Sequence, residues 1–218
     1  MTCNRSTLNN SPRRCLRNKI VKKINGYTYC GRFRSLEKIL QEWIKLHEKF
    51  FIQSRDGSWW YNERASIGIL AAAAWMAGGI ALEEYTAKKK SRKRSGRADV
   101  YLNLNGREFA CEAKFIWLSV KSPDPIKRIE NSLKSARQNV ISLNRREGRR
   151  FSICFAAVYL PKKDVNKFES LIDKLQQKIS SADFEVIAWS FPKAAKNLTY
   201  EKSEHFHPGS FIILRNYD

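Results

Sequence analysis

The segment from Ala98 to Trp117, ADVYLNLNGREFACEAKFIW, carries the tightest folding constraint in the chain. Asn105 and Gly106 sit between two runs of alternating polarity, and both tolerate the positive φ that a two-residue hairpin turn requires. The pair predicts an antiparallel hairpin, and fixing the turn fixes the register of both strands. Alternation then sorts the side chains. Val100, Leu102 and Leu104 share one face of the first strand, as do Phe109, Cys111, Ala113 and Phe115 on the second; Asp99, Tyr101, Asn103, Glu112 and Lys114 fall on the other. Burying a charge is costly. A patch holding Asp99, Glu112 and Lys114 is therefore either a solvated sheet face with a Glu–Lys pair, or a place where charges converge on a ligand.

The flanking chain supplies the rest of the architecture. SLEKILQEWIKLHEKFF spaces Leu36, Ile39, Leu40, Trp43, Ile44, Leu46 and Phe50 at helical intervals, with His47 a lone packing or surface residue. After the turn SRDGSWW, whose tryptophans read as core staples, YNERASIGILAAAAWMAGG predicts an Ala-rich helix ending at Gly78 and Gly79. On that helix Glu63 lies in line with Ile67, Leu70 and Ala74. IALEEYTAK reads as a strand before the hairpin, and PDPIKRIENSLKSARQNVISL as a helix after it, with Asp124 as cap and Pro125 in its first turn. FSICFAAVYL, DVNKFESLIDKLQQKI and FEVIAWSF follow as strand, helix and strand, which predicts βαβ units with parallel strands. SFIILRN reads as a last strand, antiparallel or at an edge, and SEHFHPG, with His205 and His207, as a loop. The order α, α, β, β, β, α, β, α, β, β predicts an α/β fold, a mixed sheet flanked by helices.

Charge narrows the partners. The 218 residues carry 41 Lys and Arg against 21 Asp and Glu, a formal charge of +20, which attracts polyanions and points to nucleic acid ahead of a membrane surface. Residues 1–36 hold nine Lys or Arg and no acid, so 1–33 reads as a basic N-terminal arm and 34–218 as the folded domain. A second basic run, KKKSRKRSGR, precedes Asp99 and offers Lys88, Lys89, Lys90, Arg92, Lys93, Arg94 and Arg97 as phosphate contacts. Five cysteines show no C-x-x-C spacing and leave one unpaired in any disulfide scheme, which suits a reducing, cytoplasmic setting. No apolar leader and no run of about 18 apolar residues is present, so neither secretion nor a membrane span is expected.

Two carboxylates and a lysine on adjacent strands suit metal-assisted hydrolysis of a phosphodiester. Asp99 and Glu112 would supply hard oxygen ligands to Mg²⁺ (or Mn²⁺), an ion that keeps several waters and needs few protein ligands. The metal would activate a bound water, and Lys114 would direct it or donate to the phosphate.

With Glu63 on a helix, Asp99 on a strand and Glu112-Ala113-Lys114 on the next, the chain resembles the PD-(D/E)XK, or restriction-endonuclease-like, nuclease superfamily. The resemblance spans about Tyr61 to Leu160 and implies an αβββαβ core. It implies metal binding by Asp99 and Glu112, a metal-supporting role for Glu63, and a water- or phosphate-directed role for Lys114. Glu83 and Glu84 are alternatives for the upstream acid. Ala98 stands where the superfamily usually has Pro, and Gln138 is followed four residues later by Ser142 rather than by the Tyr of the RecB-like branch. The expectation is a Mg²⁺-dependent endonuclease acting on DNA, with RNA, a homodimer or a partner protein left open. The alternative is a non-catalytic nucleic-acid-binding module that retains the fold within a larger assembly.

Overall fold

The computed structural model describes residues 17–22, 24–88, 96–199 and 203–218. Among these residues eight strands form one mixed sheet: β1 (Arg17–Lys22), β2 (Asn25–Cys30), β3 (Ile80–Ala87), β4 (Gly96–Leu104), β5 (Arg107–Ser119), β6 (Arg149–Pro161), β7 (Val186–Ser190) and β8 (His205–Asn216). Their order across the sheet is β1-β2-β7-β8-β6-β5-β4-β3. Among the described residues four α-helices flank it: α1 (Glu37–Ser54), α2 (Glu63–Met76), α3 (Pro125–Ser142) and α4 (Phe168–Ser181). No helix among the described residues is long and apolar enough to cross a membrane.

The hairpin forms as its turn chemistry requires. Asn105 and Gly106 take φ of 50° and 76°, and Leu104 pairs with Arg107 directly across the turn. Val100, Leu102, Leu104, Phe109, Cys111 and Ala113 then enter one core with Ile67, Leu70 and Ala74 of α2 and Ile39, Leu40 and Trp43 of α1. On the opposite face Leu118, Cys154, Ala156 and Val158 pack against Ile129 and Leu133 of α3 and Ile172 and Leu175 of α4. The α3 start follows its sequence signal: Asp124 Oδ1 accepts the Lys127 N–H at 2.9 Å, and Pro125 occupies the first turn, where its missing N–H costs nothing. Cys111 and Cys154 are buried free thiols that behave as small apolar groups. Burial raises the Cys154 pKa to about 12.

Three expectations change on contact with the sheet. β5 and β6 are adjacent and parallel, as the βαβ reading requires. β6 and β7 also run the same way, but β8 lies between them, antiparallel to both. β8 is therefore a central strand, not an edge. Phe211 and Ile213 fill one core while Ile212 and Leu214 fill the other. A strand apolar on both faces is stable only where both faces are covered.

The second change concerns the basic arm. Its boundary at residue 33 falls inside the fold, because β1 pairs with β2 and β2 with β7. Tyr27, Tyr29, Cys30 and Phe33 are buried, and the hydroxyls of Tyr27 and Tyr29 donate to Glu37 of α1 at 3.0 and 2.9 Å. The surrounding basic residues obscure this short alternation in the sequence. Residues 1–16, with Cys3 and Cys15, lie outside the described residues. Third, His205 and His207 open β8 rather than a loop.

The central crossing of β8 depends on a glycine. A methyl at Gly209 would stand 2.1 Å from the Ser190 carbonyl oxygen and 2.9 Å from Phe191 Cα, both backbone atoms that cannot swing aside. Gly209→Ala is expected to cost about 3 kcal/mol, the upper range for overpacking, read from the urea midpoint. At Gly31 an added methyl meets nothing within 4 Å. Gly31→Ala should therefore stay within about 0.5 kcal/mol of the parent.

Candidate active site

β4 and β5 pair from Leu104/Arg107 to Val100/Cys111 and then part company. β4 continues beside β3 as far as Gly96, while β5 continues beside β6 to the Ser119/Tyr159 pair. From residue 112 onward, β5 therefore has an edge that β4 no longer covers. An uncovered strand edge presents backbone N–H and C=O groups that must find partners. Here side chains supply them.

Asp99 is the β4 residue next to the last pair, and its Oδ2 accepts the Ala113 N–H at 2.7 Å. Glu63 opens α2, where Asn62 caps the helix by accepting the Ala65 N–H at 2.9 Å. Its Oε2 accepts the next outward N–H, that of Phe115, at 3.1 Å. Lys114 Nζ donates to the Ala113 carbonyl at 2.7 Å and lies 3.4 Å from Glu63 Oε1. Farther along, Arg128 of α3 donates through Nη2 to the Trp117 carbonyl at 2.8 Å. Asp99, Glu63 and Lys114 thus meet along the Ala113–Phe115 edge.

Glu112 belongs to the same stretch but sits deeper. Its residue is 5% exposed, and it pairs with Ser152 of β6 on the side away from β4. Strand alternation sends its side chain to the α3 face, opposite Cys111 and Ala113. Its charge is felt by Tyr85 of β3: burial chiefly raises that hydroxyl's pKa, and the fields of Cys111, Glu147 and Glu112 raise it further.

The three upstream acids take separate positions. Glu63 reaches the β5 edge. Glu84 is held between Arg64 at 3.1 Å and Arg97 at 2.7 Å, away from Lys114. The Glu83 carboxylate lies against α2, where a methyl on Gly68 would stand 3.9 and 4.0 Å from its oxygens. Within the basic run, Arg97 is therefore spent on Glu84, and Lys88 uses its backbone N–H on Glu147 at 3.2 Å. Lys89, Lys90, Arg92, Lys93 and Arg94 lie outside the described residues.

Among the described residues no three His, Cys, Asp or Glu side chains form a ready-made metal cage. Mg²⁺ does not need one, since it commonly binds through one or two carboxylates with water and substrate phosphate completing the shell. The donor chemistry fits such an ion: Asp99 is anchored through Oδ2, and its Oδ1 makes no hydrogen bond among the described residues. A cleft of about 340 Å³ adjoins Lys114, bounded by Phe115 and Ile116 and by Arg128, Asn131 and Ser135 of α3. A larger open depression of about 830 Å³ lies along α4, lined by solvated side chains such as Lys167 and Lys174, and contains none of these acids.

Arg128 and Trp117 had no signal in the sequence pattern, because their meeting depends on α3 docking beside an edge that β4 has left. No family model, curated protein or solved structure matches the chain.

Proposed function

We propose that this protein is a metal-dependent nuclease that hydrolyses DNA phosphodiester bonds, built on a restriction-endonuclease-like core. The reading rests above all on the convergence of Asp99, Glu63 and Lys114 at the uncovered edge of β5. The element order α2, β3, β4, β5, α3, β6 supports the αβββαβ comparison. A formal charge of +20 supports a polyanionic substrate. The buried free thiols suit a reducing, cytoplasmic compartment.

Asp99 and Glu112 would hold Mg²⁺ or Mn²⁺, with Glu63 in support. Such an ion supplies an activated water and offsets charge developing at phosphorus. Lys114 has three N–H donors. In the present geometry it directs them to the Ala113 carbonyl and to both Glu63 oxygens, the latter at 3.4 and 3.5 Å, and a phosphate oxygen would replace one of these long contacts. Glu63 keeps the ammonium at the β5 edge and so acts as a positioning residue toward it. Lysines and arginines of the basic run before Asp99 would steady the flanking phosphates.

A cleavage panel tests this. Plasmid and labelled single-stranded, duplex and branched DNA should be cut with Mg²⁺ or Mn²⁺ and left intact with chelator, with RNA substrates run in parallel. Tight DNA binding with no cleavage of any substrate under either metal would instead identify a nucleic-acid-binding module that uses the same edge.

A further inference from the structure

Resting on the nuclease reading, we infer that the cleft between α3 and the uncovered edge of β5 is a phosphate subsite, where Arg128, Asn131 and Ser135 hold the substrate backbone beside the scissile bond.

The cleft exists because β4 leaves β5 after the Val100/Cys111 pair while α3 runs back along the strand left bare. Arg128 meets the Trp117 carbonyl at one end of that run, and Val140 packs with Ala110 at the other. By strand alternation Lys114 and Ile116 share the α3 face of β5 with Ala110 and Leu118, and both line the cleft. Its opposite wall is one flank of the helix, where Arg128, Asn131 and Ser135 recur at i, i+3 and i+7. That flank is about 10 Å long at 1.5 Å per residue. It accommodates about three nucleotide steps at 3.4 Å each.

The second observation is charge. No carboxylate lines the cleft. Glu130, the one acid of α3, lies toward Arg215 of β8 at 3.8 Å. Arg97 is neutralised by Glu84, but Arg128 has no carboxylate partner among the described residues. It is held by a neutral carbonyl through Nη2 alone, which places the guanidinium and leaves its charge and its other N–H donors for a ligand. Asn131 and Ser135 are exposed and add an amide and a hydroxyl donor.

Lys114 joins this wall to the acids. Its side chain borders the cleft while its ammonium reaches Glu63 at the β5 edge. A backbone whose scissile phosphate sits at Lys114 therefore continues past Ser135 and Asn131 toward Arg128. Donors of this kind read phosphate rather than base, so the contact is independent of sequence.

The test is fluorescence anisotropy with a dye-labelled duplex and a dye-labelled thymidine oligonucleotide over a range of KCl concentrations, in chelator so that no bond is broken. Arg128→Gln should weaken both about tenfold, the scale for one charged hydrogen bond, and make the salt slope shallower by about 1. Lys134→Gln removes the same charge from an exposed position of α3 outside the cleft and should change affinity by less than about twofold. Ser135→Asp puts a carboxylate into the cleft without touching the Arg128 contact, and should weaken binding at least as much as Arg128→Gln. Thermal melts of each variant check the fold. An unchanged salt slope in Arg128→Gln, an equal loss in Lys134→Gln, or parental affinity in Ser135→Asp would overturn the proposal. Because binding is read without metal, a failure of cleavage would sink the nuclease reading alone and leave the phosphate subsite to these binding data.

Discussion

Replacing Asp99 with Asn is expected to lower metal-dependent cleavage by about 10³-fold while leaving the fold intact. A bound divalent ion would stabilise the transition state of phosphodiester hydrolysis by several kcal/mol, and each 1.4 kcal/mol or so is a factor of ten in rate. Asn retains an oxygen that can accept the Ala113 N–H, now met by Asp99 Oδ2 at 2.7 Å, so the backbone contact survives and the charge does not. Asp99→Ala removes both. It should lose the same activity and also about 1 kcal/mol of stability for the missing hydrogen bond. Lys114→Ala should cost about 10²-fold or more, the scale for removing one donor aimed at developing charge. Its ion pair with Glu63 adds little stability, because about a third of each side chain is exposed and water screens the pair. Initial rates of plasmid nicking, with melting curves on the same preparations, check all three. Full activity in Asp99→Asn would remove Asp99 from the metal.

The second large effect is acid lability, and it arises away from the candidate site. His47 of α1 is 2% exposed, with its ring 4.2 Å from Trp43 and 5.4 Å from Trp59, and Nδ1 is 2.8 Å from Ser58 Oγ. Burial pushes its pKa from 6.5 down to about 3. Between those pH values the unfolded chain binds the proton and the native protein does not, so stability rises with pH across the window. The contribution is complete above pH 6.5 and is lost progressively as pH falls toward 3. At about 1.4 kcal/mol per pH unit it is on the order of 5 kcal/mol. His207, pushed to about 4 chiefly by burial and further by the nearby His205, acts in the same direction over a narrower window. Urea midpoints of wild type and His47→Leu from pH 7 to pH 4 isolate the effect. The variant should be weaker at neutral pH yet lose less on acidification. Parallel curves would show that another group carries the transition.

Much of this architecture was legible because it is local. Asn105-Gly106 predicts its own turn, since few residue pairs accept two positive φ angles in succession. The alternation from Val100 to Phe115 predicts which side chains face α2. Asp124 and Pro125 mark the first turn of α3. Other features have no local signature. The basic residues around Tyr27 and Tyr29 conceal two strands of the sheet. The His205–Gly209 segment resembles a loop because of its Pro-Gly pair, and the need for glycine at 209 is set by Ser190 of β7 and by Phe191 just past it.

The candidate site divides along the same line. The sequence by itself determined the hairpin, its polar and apolar faces, and the presence of Asp99, Glu112 and Lys114 on adjacent strands, because side-chain alternation and turn stereochemistry act within a few residues. Only the tertiary structure decided where β4 leaves β5, that Glu63 rather than Glu83 or Glu84 reaches the exposed edge, and that Arg128 closes on Trp117. Those outcomes follow from helix docking and strand insertion between residues distant in the chain. No local period records which partner an uncovered backbone N–H will find.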